Sequence, residues 1–132
     1  MSDLFAPTGG WRVRIRDLSL PQDDEDAVLE EVGGFSTLMH ANDFARRYVR
    51  DQIERCRAPG LDAEAILEAW RAFGEDAEVI EAGETGWRSE TEILAFAAGR
   101  AGGEERNWRA LDPRRIGEDE EDEDLDDDGA TP

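Results

Sequence analysis

Hydrophobic and polar residues alternate strictly from Trp11 to Arg16. Trp11, Val13 and Ile15 share one face, and Arg12, Arg14 and Arg16 share the other, which is the period of a half-buried strand. After Asp17 the apolar phase moves to Leu18 and Leu20, marking a bulge or the point where the strand leaves its sheet. Residues 27–36 fit two patterns. Val28, Glu30 and Val32 alternate as in a strand, whereas Ala27 to Glu31 also fits a helical turn stopped by Gly33-Gly34. The strand is preferred, because Asp23-Asp24-Glu25-Asp26 after Pro21 then becomes the loop of a hairpin.

From Leu38 to Arg57 the period changes. Leu38, Ala41, Ala45, Tyr48, Val49, Gln52, Ile53 and Cys56 recur at steps of three and four, and Phe44 widens the stripe. That spacing predicts a helix with one apolar face, N-capped by Ser36 or Thr37 and ended by Pro59-Gly60. Asp43 and Asp51 stand four residues ahead of Arg47 and Arg55, the favourable order for ion pairs on a helix. The arginines Arg46, Arg47, Arg50, Arg55 and Arg57 read as its solvated face. A second helix comes next, with Asp62 as N-cap and Leu61 and Ile66 as a hydrophobic staple. Its apolar face is Ile66, Leu67, Trp70 and Phe73, and Gly74 is placed to end it. The short connection makes the two helices neighbours.

Beyond Gly74 the signals weaken. Glu75 to Ala82 contains only Val79 and Ile80 as strong apolar residues and reads as a weakly specified third strand. Gly83 to Gly86 is a turn. Ser89-Glu90-Thr91-Glu92 has the form of a capping box ahead of a short third helix built on Ile93, Leu94, Phe96 and Ala97, closed by Gly99 or Gly102-Gly103. No internal repeat is visible.

The predicted architecture is α+β: a small antiparallel sheet of two to three strands packed on an antiparallel helix pair, plus a third short helix. Residues 1–10 read as a flexible arm, 11–103 as a single domain, and 118–132 as a disordered acidic tail. Between them, 104–117 is an amphipathic linker or docking segment in which Trp108, Leu111 and Ile116 stand among charges. It is either a last element packed on the domain or a peptide that docks elsewhere.

Charge changes this picture more than composition does. The 132 residues carry 34 acidic and 15 basic side chains, a net charge of −19. Ten of those carboxylates lie in the run from Glu118 to Asp128, which has only Leu125 to bury, so the tail reads as disordered. Every basic residue is arginine. That bias fits GC-rich codons better than salt adaptation, which would spread acidity over the folded surface. No apolar run approaches the ~20 residues of a membrane helix. The opening Met1-Ser2-Asp3-Leu4-Phe5 has neither the basic nor the apolar region of a secretory signal. A single cysteine forms no internal disulfide, and the chain reads as cytosolic.

Candidate chemistry is sparse. His40 and Cys56 are the only obvious base and nucleophile, and 16 helical steps separate them by about 24 Å. Each has an ordinary structural reading, a surface histidine and a small buried hydrophobe. No phosphate-binding glycine loop is present. Asp124 to Gly129 repeats the first half of a calcium loop, but the chain ends before the bidentate glutamate. No catalytic residue, cofactor or metal site is therefore assigned. The net charge repels nucleic acid, and the Arg12, Arg14 and Arg16 row is the local exception. Its plainer reading is a row facing acids on the next strand, with Glu30 the expected partner.

These features predict a non-catalytic acidic binding protein, an accessory or regulatory subunit docking on a larger protein partner with a basic surface. It would have no direct nucleic-acid or membrane contact. Trp108, Leu111, Ile116 and Arg12, Arg14 and Arg16 are the candidate partner-binding residues. Two alternatives stand beside this: a nucleic-acid mimic inhibiting a DNA-binding protein or nuclease, and an enzyme with a carboxylate-only site.

Overall fold

The central strand β1 (Trp11–Asp17) pairs antiparallel with β2 (Val28–Phe35) on one side and with β3 (Glu75–Ile80) on the other, giving the order β2-β1-β3. The computed structural model describes residues 10–114. Most of the N-terminal arm, Ile116 and the acidic run after it lie outside the described residues. The fold is α+β, as the two periodicities predict. Trp11, Val13 and Ile15 are buried and the intervening arginines are not. β1 ends at Asp17, and the Leu18 backbone N–H still reaches the Gly74 carbonyl at 2.9 Å, in register with the Asp17–Glu75 pair.

Residues 28–35 are a strand, with two irregularities. Leu29 is an extra residue between the pairs Arg16–Val28 and Ile15–Glu30, and Gly33-Gly34 together oppose Arg12. Gly34 takes φ +92°, a left-handed backbone that favours glycine. The extra Leu29 moves every later side chain by one position, so Arg14 faces Glu31 and not Glu30.

Helix α1 (Leu38–Arg55) starts at Thr37, whose hydroxyl accepts the His40 N–H at 3.1 Å. Its predicted stripe is buried on the sheet: Ala41, Phe44, Ala45, Tyr48, Val49 and Ile53. Tyr48 also donates its hydroxyl to the Glu75 carboxylate of β3. Helix α2 (Ala63–Phe73) is capped by Asp62, which accepts the Ala65 N–H at 2.9 Å. It packs more extensively on α3 (Ile93–Ala98) than on α1. Ile66, Leu67 and Trp70 are buried, and burying each such side chain contributes roughly 1.5–3 kcal/mol.

Three local expectations are corrected. Phe73, in phase with Trp70, is 81% exposed. Helical phase gives direction but not the extent of the surface below. Phe73 is the last residue of α2, beyond the wall that covers Trp70. Gly74 leaves the helix with φ −92° rather than in a left-handed turn. Its missing side chain matters because a Cβ there would lie 2.5 Å from Trp70 Cδ1. The capping box does not form. Ser89–Thr91 is a 3₁₀ turn, and the Glu92 carboxylate is taken by Arg46 and by the Trp87 indole N–H.

Candidate functional site

The sheet face opposite the helices is a lattice of ion pairs. Arg14 meets Glu31 at 2.9 Å, Arg16 meets Glu78 at 3.1 Å, and Arg12 reaches Glu81 at 2.9 Å and Glu31 at 3.5 Å. Glu30, displaced by the bulge, pairs instead with Arg114 at 2.8 Å. The row Arg12, Arg14 and Arg16 is thus brought together, with each guanidinium already matched by a carboxylate. A phosphate binding there would have to displace these acids.

Residues 104–114 run along α1. The Trp108 ring lies 4.8 Å from Tyr48 and 5.9 Å from Phe44, and its indole N–H donates to Asp51 at 3.2 Å. Leu111 packs on the same core, and its carbonyl is 2.7 Å from His40 Nε2. Trp108 and Leu111 are therefore half-buried within the chain's own fold, while Ile116 lies outside the described residues. His40 is also edge-on to Phe35, at 5.0 Å. Cys56 caps the end of α1, partly buried, and that burial pushes its thiol above the ordinary range.

The arginine face of α1 is solvated only in part: Arg55 is exposed and pairs with Asp51 as expected, whereas Arg46, Arg50 and Arg57 are taken up by other parts of the chain. Arg46 forks onto Glu92, and Arg50 is buried with its guanidinium 4.6 Å from the Phe96 ring. Arg57 pairs with Glu54 and donates to the carbonyls of Phe96, Ala97 and Gly99 at the end of α3. Arg47 does not pair with Asp43 but donates to the Asn107 carbonyl. Asp51 takes Arg55, Arg106 and Trp108 together. Burial alone would raise the Asp51 pKa, but these three donors hold it below the usual carboxylate range.

A cleft lined by both apolar and charged side chains lies at the end of the sheet. Five stretches of chain meet there: the end of β1, the loop to β2, the end of α2, the start of β3 and the turn into α3. They enclose a cleft of about 640 Å³. Leu18, Leu20, Trp70 and Ile93 supply apolar wall, and Asp17, Asp76, Glu78 and Glu90 supply carboxylates against Arg16 and Arg71. Asp76 stands directly across from Arg16 in the β1–β3 register. Yet Arg16 turns to Glu78 and the Gln22 carbonyl. Among the described residues no guanidinium comes within ion-pair distance of Asp76. Burial raises the Asp76 pKa above the ordinary carboxylate range; the Ser89 hydroxyl, the Ala77 N–H and Arg16 oppose that rise only in part.

Nothing in the sequence marks Asp76, and Ser89 stands out only as the first residue of a capping-box pattern. They come from separate segments with no common motif, and only the strand pairing of Glu75–Ile80 brings them to one place. Among the described residues no group of three or more His, Cys, Asp or Glu side chains is arranged to hold a metal ion. No helix among them is long and apolar enough to cross a membrane. No family model, curated protein or solved structure matches the chain.

Proposed function

We propose that the protein is a non-catalytic acidic binding protein, an accessory or regulatory subunit that docks on a larger partner with a basic surface. The observation that carries this reading is the internal use of its cations. Nine arginines are engaged by the chain's own carboxylates. The surplus of acids, including exposed Asp23, Glu25, Asp26, Glu64 and Glu68, is left facing outward. Such a field speeds encounter with a basic surface and discriminates against acidic ones. Adhesion then falls to exposed apolar side chains. Phe73 at the end of α2 and Leu94 on α3 are 81% and 71% exposed on neighbouring helices.

This moves the anchor from its expected place. Trp108 and Leu111 contribute to the fold that presents the surface, and Phe73 and Leu94 take the contact role. The test is affinity capture from the source organism's lysate at low and high salt, with wild type and a Phe73→Asp/Leu94→Asp variant as bait. One dominant protein partner, partly retained at high salt by wild type and lost by the variant, is the expected result. Several nucleic-acid-binding proteins released together by salt would favour the nucleic-acid mimic. No partner at low salt, with turnover of a small molecule by the purified chain, would overturn the binding reading in favour of a carboxylate-based enzyme.

A further inference from the structure

We infer that the cleft at the end of the sheet is a binding site for an aliphatic ammonium group, a primary amine carried on a short hydrocarbon stem. The geometry selects this chemistry in three steps. Charge comes first. Arg16 is matched by Glu78 at 3.1 Å, so Asp17, Asp76 and Glu90 face a single remaining guanidinium, that of Arg71, and a cation is the ligand that balances the cleft.

The number of free acceptors comes second. Asp76 Oδ1 already accepts the Ala77 N–H at 2.8 Å, and Asp17 Oδ1 accepts both the N–H and the hydroxyl of Ser19. Asp17 therefore offers one oxygen rather than a free pair, and Asp76 offers one that the Ser89 hydroxyl also approaches. A planar guanidinium is best held by two parallel bonds to one carboxylate, whereas an ammonium is a compact charge with three divergent donors. Single oxygens from Asp76 and a rim carboxylate, with the Ser89 hydroxyl beside them, suit the ammonium.

The walls come third. Leu18, Leu20 and Ile93 line the same opening, so a hydrocarbon stem lies against apolar side chains while its charged end reaches Asp76. Trp70 adds a wall, and its indole N–H is already bound to the Glu75 carbonyl at 3.0 Å, which leaves no unmet donor facing the stem. An anion meets the reverse arrangement. It would face three carboxylates with Arg71 alone to pair with, unless it took Arg16 away from Glu78.

The experiment is titration of the full ¹⁵N-labelled chain, monitored by the amide signals of Asp76, Ser89 and Ile93 and the Trp70 indole signal. The probes are n-butylammonium chloride and an acetylated, amidated Ala-Lys-Ala peptide. Sodium butyrate and sodium chloride at equal ionic strength are the controls. Saturable shifts with butylammonium, none with the controls, and at least tenfold weaker binding by Asp76→Asn are expected. That variant retains the Ala77 hydrogen bond through its amide oxygen, so it tests the charge and not the fold. Peptide binding at least as tight as that of butylammonium assigns the site to a lysine side chain of a partner; binding of butylammonium alone assigns it to a small free amine. The inference is overturned if neither cation saturates, if butyrate gives the same shifts, or if Asp76→Asn binds as wild type does.

Discussion

The Asp51 carboxylate on α1 accepts the Trp108 indole N–H at 3.2 Å on one oxygen and the Arg106 guanidinium at 2.7 Å on the other. Those two contacts fasten residues 104–114 to the helix and seat the Trp108 ring on Tyr48. Asp51→Asn should therefore cost about 2–3 kcal/mol, the scale of a charged hydrogen bond lost from a buried site. It should also shift Trp108 emission to the red. Denaturant unfolding monitored by tryptophan fluorescence measures both.

The same carboxylate sets a pH dependence. Its folded pKa lies below the ordinary value, so the stability it contributes is fully present above the carboxylate range and is lost as pH falls through the folded pKa. Thermal unfolding of wild type and Asp51→Asn should differ at pH 7 and converge toward pH 2.

The elements of this fold are legible where one period runs cleanly. Trp11 to Arg16 alternates, the Leu38 stripe repeats, and Asp62 caps the second helix. What the pattern hides are contacts in which a charged residue is the buried partner. Arg50 and Asp51 read as solvent-facing because hydropathy assigns them to water. In the structure they hold α3 and the 104–114 segment through guanidinium, carboxylate and ring contacts. The bulge at Leu29 is hidden for a different reason. An extra residue in a strand leaves no compositional trace, yet it decides that Glu31 and not Glu30 meets Arg14. The cleft depends on the meeting of distant segments, which no local pattern encodes.

Trp70 and Phe73 share a helical phase and differ in burial. Trp70→Ala should cost roughly 3–5 kcal/mol, and Phe73→Ala less than about 0.5 kcal/mol. Chemical denaturation of the two variants measures the contrast.

Gly74 is required by the close approach of Trp70. A methyl group there would sit 2.5 Å from Trp70 Cδ1 and 2.8 Å from the Trp70 carbonyl oxygen. Gly74→Ala should therefore destabilise by about 1–3 kcal/mol. Gly103→Ala, with nothing within 4 Å of the added carbon, should be close to neutral. Melting temperatures of the pair distinguish a steric requirement from a general need for flexibility.

Asp76 carries the opposite linkage from Asp51. Its folded pKa is raised by burial, with Glu78 adding to the rise and Ser89 and Arg16 opposing it. Asp17 and Glu90 face the same cleft. The penalty for a charged Asp76 is absent below the ordinary carboxylate pKa and complete above the raised one. Asp76→Asn should therefore raise the melting temperature at pH 7 and change it little at pH 3.

The salt dependence of the association rate with the captured partner, measured by stopped flow, tests the proposed role most directly. If an outward acidic field guides docking on a basic surface, the wild-type rate should fall about tenfold or more as ionic strength rises. Truncation after Gly117 should slow association, whereas Phe73→Asp should mainly speed dissociation. An association rate indifferent to salt and to the truncation would contradict the account.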